Sequence, residues 1–312
     1  MPNVSPAEVL CRIARAVPAD CRDKIIIIGS LALGYHYQDQ LMGMAVRTKD
    51  ADCLLSPRVE AIHSGVNIAE RLLDAGWKFK ATPNHPAPGT AGMPIENLPA
   101  VRLYPPQGSE WFIELMTVPA SSSARRLHWI RLKTKHGHFA LPSFGFLSLV
   151  NLDPLPTDME ISIARPEMMA LANLLEHPEI RPETMSGDFA GRTDIKRSNK
   201  DLGRVLAIAR LALGRDEDVL QAWPPLWKKA LQIRFRNEWR TLALRTGRGI
   251  RALLMHEPDL EQALFTCNNG LLAARPPTLP QLTIVGQRLL QDAIEPLETE
   301  AGRGRQTRHE LS

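Results

Sequence analysis

Ile25-Ile26-Ile27-Ile28-Gly29-Ser30 and, downstream, Thr48-Lys49-Asp50-Ala51-Asp52-Cys53-Leu54-Leu55 decide how this chain reads. An apolar run of β-branched residues ending in Gly-Ser predicts a buried strand that enters a tight turn, where backbone N–H groups can meet a phosphate. The second stretch also predicts a strand, and its period of two puts the Asp50 and Asp52 carboxylates on one face. Gly29 leaves room for close approach of the backbone, and Ser30 opens a helix whose amino terminus favours anions. Two like charges on one strand face repel each other, so a close pair calls for a compensating cation. Hard carboxylate oxygens suit Mg²⁺ or Mn²⁺.

A third carboxylate lies in Trp111-Phe112-Ile113-Glu114-Leu115-Met116, an apolar strand in which a charge needs a partner. Glu114 is either a solvent-facing or arginine-paired side chain, or a third metal ligand or general base brought beside Asp50 and Asp52 by strand pairing. Arg47 and Lys49, flanking the aspartates, are either phosphate contacts or solvated charges.

Working outward, Ser5-Pro6-Ala7-Glu8 is a capping box with proline at the first helical position, so a helix is expected over about 6–17. Further helices are expected from about Leu31 and over about Val59 to Ala75, stopped by Gly76. Residues 82–100 hold five prolines and two glycines and predict a surface loop. Val101–Tyr104 and Glu110–Val118 predict strands joined through Pro105-Pro106-Gln107-Gly108, with further strands near Phe144–Leu149 and Glu160–Ala164. His136-Gly137-His138 reads as a hairpin tip. From Pro166 the pattern turns helical, with helices expected near 166–175, 202–213, 219–235, 239–244 and 281–290. The expected architecture is therefore α/β (α+β): a mixed sheet with flanking helices over residues 1–164, then an α-helical domain over 165–312 whose polar tail frays from about Glu298.

A chain of 312 residues suits two domains. Its composition, 44% hydrophobic and 23% charged, is that of a globular protein rather than a disordered one. No purely aliphatic run comes near the roughly 20 residues that cross a bilayer, so no membrane contact is expected. Cys11, Cys21, Cys53 and Cys267 are scattered without a Cys-x-x-Cys pair, which speaks against a zinc ribbon or a disulfide framework. The opening residues lack a secretory pattern, and the expected compartment is the cytoplasm. Much of the net charge of +4 comes from 192–200, 228–240 and 245–251, either as solvated helix faces or as a landing surface for RNA or a polyphosphate.

Gly29-Ser30, the Arg47-x-x-Asp50-x-Asp52 run and Glu114 together resemble the DNA polymerase β-like nucleotidyltransferase superfamily. Arg47-Thr48 before the aspartates and the helical second half look most like its AbiEii/AbiGii-type toxins. Lys200-Asp201 resembles a lysine–aspartate motif of their helical half. The resemblance implies that Asp50, Asp52 and Glu114 hold Mg²⁺ and that Gly29 and Ser30 contact the triphosphate of an NTP, with Arg47, Lys49, Lys200 and Asp201 also on the nucleotide. It further implies transfer of an NMP to an acceptor hydroxyl, with the 3′ end of tRNA as acceptor and an antitoxin as protein partner. Alternatives are an adenylyltransferase acting on a small molecule or a protein, and a non-catalytic NTP-binding module. Residues 31–49 make a longer gap than the family's common spacing, and Asn173-Leu174 stands where many relatives have lysine before leucine.

Overall fold

Strand β1 (Asn3–Val4) leads into helix α1 (Pro6–Ala16), where Ser5 accepts a hydrogen bond from the Glu8 N–H at 3.4 Å and Pro6 fills the first turn. The isoleucine run then forms β2 (Ile25–Ile28), and Gly29 begins α2 (Gly29–His36) with no intervening loop. Next come β3 (Val46–Arg47), β4 (Asp50–Leu55), α3 (Arg58–Asp74), β5 (Lys78–Phe79), β6 (Arg102–Tyr104) and β7 (Phe112–Thr117). A hairpin, β8 (His128–Thr134) and β9 (Gly137–Ser143), precedes the single-turn helix α4 (Leu147–Val150) and strands β10 (Leu155–Pro156) and β11 (Ser162–Ile163). This computed structural model describes residues 2–42, 45–106, 108, 110–120 and 128–309, with side chains to residue 303. Gln107 of the expected hairpin connection, Gly43 and residues 310–312 of the tail lie outside the described residues.

Pro2–His36 and Ala45–Arg165 make one compact unit. Its seven-stranded sheet has the order β10-β11-β2-β4-β7-β6-β5, with β4 antiparallel to β2 and parallel to β7. Ala51, Cys53 and Leu55 point to the buried face, and the Leu55 side chain meets the position of Gly65 in α3 together with Leu132 and Leu141 of the hairpin. Asp50 and Asp52 therefore face the other way and are half-exposed, as the period of two requires. Where a strand was expected near Phe144–Leu149, the chain forms α4 instead, while the expected hairpin tip at His136 joins β8 and β9, which meet at Thr134–Gly137. His136 at that tip pairs with Asp74 at 2.9 Å.

The second unit comprises Pro166 onward plus a short segment that begins at Tyr37. It contains α5 (Pro166–Glu176), α6 (Arg197–Arg215), α7 (Trp223–Arg234), α8 (Trp239–Ala243), α9 (Arg248–Met255), α10 (Glu257–Asn268), α11 (Leu279–Leu289) and α12 (Glu295–His309). Helix α6 is its axis: Leu202, Val205, Leu206 and Ile208 are fully buried. The tail does not fray at Glu298. It continues as α12 because Leu297 and Ala301 are fully buried and Arg251 holds Glu298 at 2.7 Å. The molecule is thus a mixed α/β sheet unit with a helical carboxy-terminal region. Among the described residues no helix is long and apolar enough to cross a membrane.

Candidate functional site

Register decides which side chains meet on the open face of the sheet. Pairing of β2 with β4 sets Ile28 opposite Asp52, and pairing of β4 with β7 sets Asp52 opposite Glu114 and Asp50 opposite Phe112. Pairing of β6 with β7 then sets Arg102 opposite Glu114. Directly opposed residues share a face. Asp52, Glu114 and Arg102 consequently form one row across three adjacent strands, with Asp50 one step along β4.

The charges in this row are ordered. Arg102 donates from Nε to Glu114 Oε2 at 2.8 Å and from Nη2 to Oε1 at 2.9 Å, a two-point clamp that uses both carboxylate oxygens. Burial works against the guanidinium charge, but Glu114, with Asp50 and Asp52 beyond it, holds the Arg102 pKa above its ordinary value. Asp50 Oδ1 accepts a hydrogen bond from Thr48 Oγ1 at 2.9 Å, which orients that carboxylate. Gly29 has φ +72°, and a Cβ placed there would sit 3.0 Å from Asp52 Oδ2. Only glycine allows both that backbone and that approach.

Gly29 and Ser30 are the first residues of α2, so their N–H groups belong to the set that has no intrahelical acceptor. Arg47 lies in β3 and donates from Nε to Asn3 Oδ1 at 3.3 Å. Lys49 is exposed, and its carbonyl accepts the Phe112 N–H at 3.0 Å, which starts the β4–β7 ladder at Asp50. Lys200 and Asp201 lie near the amino-terminal end of α6, in the helical unit. Asp201 is engaged there, with Oδ2 2.9 Å from His177 Nε2 and Oδ1 3.7 Å from Arg204. Burial alone would raise its pKa, but the His177 hydrogen bond and the Lys200 and Arg204 charges outweigh burial and hold it well below the carboxylate range.

Of the sequence-predicted residues, register brings Asp50, Asp52 and Glu114 onto one face, with Gly29 beside them. Glu114 takes the arginine-paired arrangement. Among the described residues no three His, Cys, Asp or Glu side chains are grouped to hold a metal ion. Glu114 is the carboxylate on this face that Arg102 clamps. Arg102 itself was missed, because its place opposite Glu114 depends on the β6–β7 register across a connection that pattern alone does not describe. A cleft of about 780 Å³ lies elsewhere in this unit, lined by Glu8, Arg12 and Arg15 of α1 with Trp77 and Pro106, and includes none of these residues. No protein-family model, curated protein or solved structure matches this chain.

Proposed function

We propose that the chain is a divalent-cation-dependent nucleotidyltransferase of the cytoplasm that moves a nucleoside monophosphate from an NTP to an RNA hydroxyl and releases pyrophosphate. One observation carries this reading: Asp50 and Asp52 share a face of β4, and Asp52 Oδ2 lies against the side-chain-free Gly29 at the amino terminus of α2. Carboxylates from one strand beside a helix amino terminus offer the two things a metal-bound triphosphate needs, hard anionic oxygens and free N–H donors.

The donor set fits Mg²⁺ or Mn²⁺ through Asp50 and Asp52, since Thr48 orients one carboxylate and the gap left at Gly29 accommodates the other. Such an ion, when bound, supplies charge for the triphosphate oxygens and acidifies the attacking hydroxyl. Gly29 and Ser30 N–H groups receive the phosphate oxygens that gain charge as the hydroxyl oxygen bonds to the α-phosphorus and the bond to pyrophosphate breaks. The hydroxyl proton leaves to solvent. Glu114, bound on both oxygens by Arg102, serves as a positioning residue that keeps β6 and β7 in register at the site. The resemblance to AbiEii/AbiGii-type toxins extends the proposal to a toxin acting on the 3′ end of tRNA and countered by an antitoxin.

Purified protein with labelled NTPs, Mg²⁺ and total RNA tests the reaction. Asp50→Asn and Asp52→Asn should each lower transfer at least about a hundredfold. Label transfer that survives both substitutions removes the assignment. A second reading, NTP binding without turnover, draws on the same Arg102 clamp, which leaves two carboxylates rather than three for an ion. Tight NTP binding with no pyrophosphate release would select it.

A further inference from the structure

The row of charges does not stop at Arg102. Lys80 N–H donates to the Arg102 carbonyl at 2.8 Å, which carries the β5–β6 ladder one residue further and sets Lys80 opposite Arg102. Across four strands the row runs Lys80, Arg102, Glu114, Asp52: two cations, then two anions. The next row runs Lys78, Tyr104, Phe112, Asp50. Lys80 Nζ lies 3.5 Å above the centre of the Phe112 ring, and Tyr104 packs edge-on against Phe112 with ring centres 5.6 Å apart. Lys78 is exposed, and Lys80, Arg102 and Tyr104 are half-exposed.

Glu114 gives both its oxygens to Arg102, and among the described residues no ion pair or hydrogen bond of the Lys80 ammonium occurs. Burial and the Arg102 charge depress the Lys80 pKa, and the Glu114 and Asp50 charges only partly oppose them. The geometry also separates this cationic half from the triphosphate cradle. Strands lie ~4.8 Å apart, so Arg102 is ~10 Å from Asp52 on the side away from β2, and Lys80 is one strand further. A triphosphate held by the Gly29 and Ser30 amides leaves β5 and β6 to the other substrate.

We propose that Lys78, Lys80, Arg102 and Tyr104 form the acceptor subsite and take a single-stranded nucleic-acid end, the two lysines on its phosphodiesters, Tyr104 against a base, and Arg102, held by Glu114, adding positive charge beside them. Cations alternating with an accessible aromatic on one sheet face match a strand that alternates phosphates and flat bases. A small-molecule acceptor has no use for both at this spread. The inference rests on the nucleotidyl-transfer reading for the word acceptor, but the surface binds strand whether or not transfer follows.

Fluorescence anisotropy with a labelled single-stranded RNA oligomer, read across a salt series on the full chain, tests it. Lys80→Gln should weaken binding about 3- to 10-fold and reduce the slope of log K against log salt by about 0.7, the loss of one phosphate contact. Tyr104→Leu should weaken binding at least about fivefold with the slope unchanged. Lys80→Arg should restore most of the affinity, and NTP affinity measured with Ca²⁺ should be the same in all variants. Unchanged RNA binding in Lys80→Gln and Tyr104→Leu, loss of NTP affinity instead, or equal competition by poly-glutamate each overturns the subsite. If wild-type protein binds RNA as described yet transfers no label, the transfer reading fails and the strand-binding surface stands.

Discussion

At the scale of single residues, the site depends on two side chains that are absent or engaged. Gly29 combines φ +72° with a vacant Cβ position 3.0 Å from Asp52 Oδ2. Gly29→Ala therefore strains the backbone by about 1–2 kcal/mol, the left-handed penalty, and pushes the Asp52 carboxylate aside. The expected result is a lower urea midpoint together with weaker Mg²⁺-dependent NTP binding; an unchanged midpoint would refute the close approach. Arg102 and Glu114 make the opposite case, an occupied pair in which the glutamate side chain is only 12% exposed and the arginine 40%. Removing the guanidinium leaves a mostly buried carboxylate without its donors, whereas removing both charges leaves nothing uncompensated. Arg102→Gln should cost about 1–2 kcal/mol of stability, and adding Glu114→Gln should recover part of that loss in a double-mutant cycle. Simple additivity of the two substitutions would mean that the clamp contributes nothing.

At the scale of elements, pattern was readable where a segment buries one face and unreadable where tertiary packing overrode composition. The β2 and β4 stretches could be read because β-branching and the period of two coincide with burial, and both aspartates fall on the open face as that period demands. Glu114 was legible as a strand residue, with arginine pairing among its readings, but Arg102 was not legible as the partner, since that choice depends on β6 register across a connection that composition does not describe. The tail failed differently. Gly302, Arg303 and Gly304 look like a fraying end, but Leu297 and Ala301, four apart, are both fully buried and hold α12 in place. Leu297→Ala should accordingly destabilise the helical unit by about 2–4 kcal/mol, as deletion of a buried leucine side chain does. A frayed tail would show no loss in urea denaturation followed by circular dichroism.

At the scale of the whole molecule, the division into units is not a single cut. The stretch from Tyr35 to Gly43 looks like an inserted turn in the sequence, with no periodicity to show where it packs. Tyr37 to Met42 belong to the helical unit, where Tyr37 is 3% exposed, Arg215 at the end of α6 stacks 4.9 Å from its ring centre, and Arg215 Nε donates to Asp39 Oδ2 at 3.1 Å. The Arg215 hydrogen bond lowers the Asp39 pKa from the ordinary 3.8 to about 2. A carboxylate depressed by folding contributes stability only while it is ionised in the folded state and would also be ionised unfolded. The contribution of Asp39 is therefore complete above about pH 4 and disappears as pH falls through about 2. Because Asp39 is exposed, water and salt screen the pair, and the effect is small and shrinks further in high salt. Asp39→Asn should leave the urea midpoint of the helical unit slightly lower than wild type at neutral pH. Between pH 4 and pH 2 the wild-type midpoint should fall more steeply, until the two proteins converge at the acid end. Parallel pH profiles would show that this segment is not tied to α6 by charge.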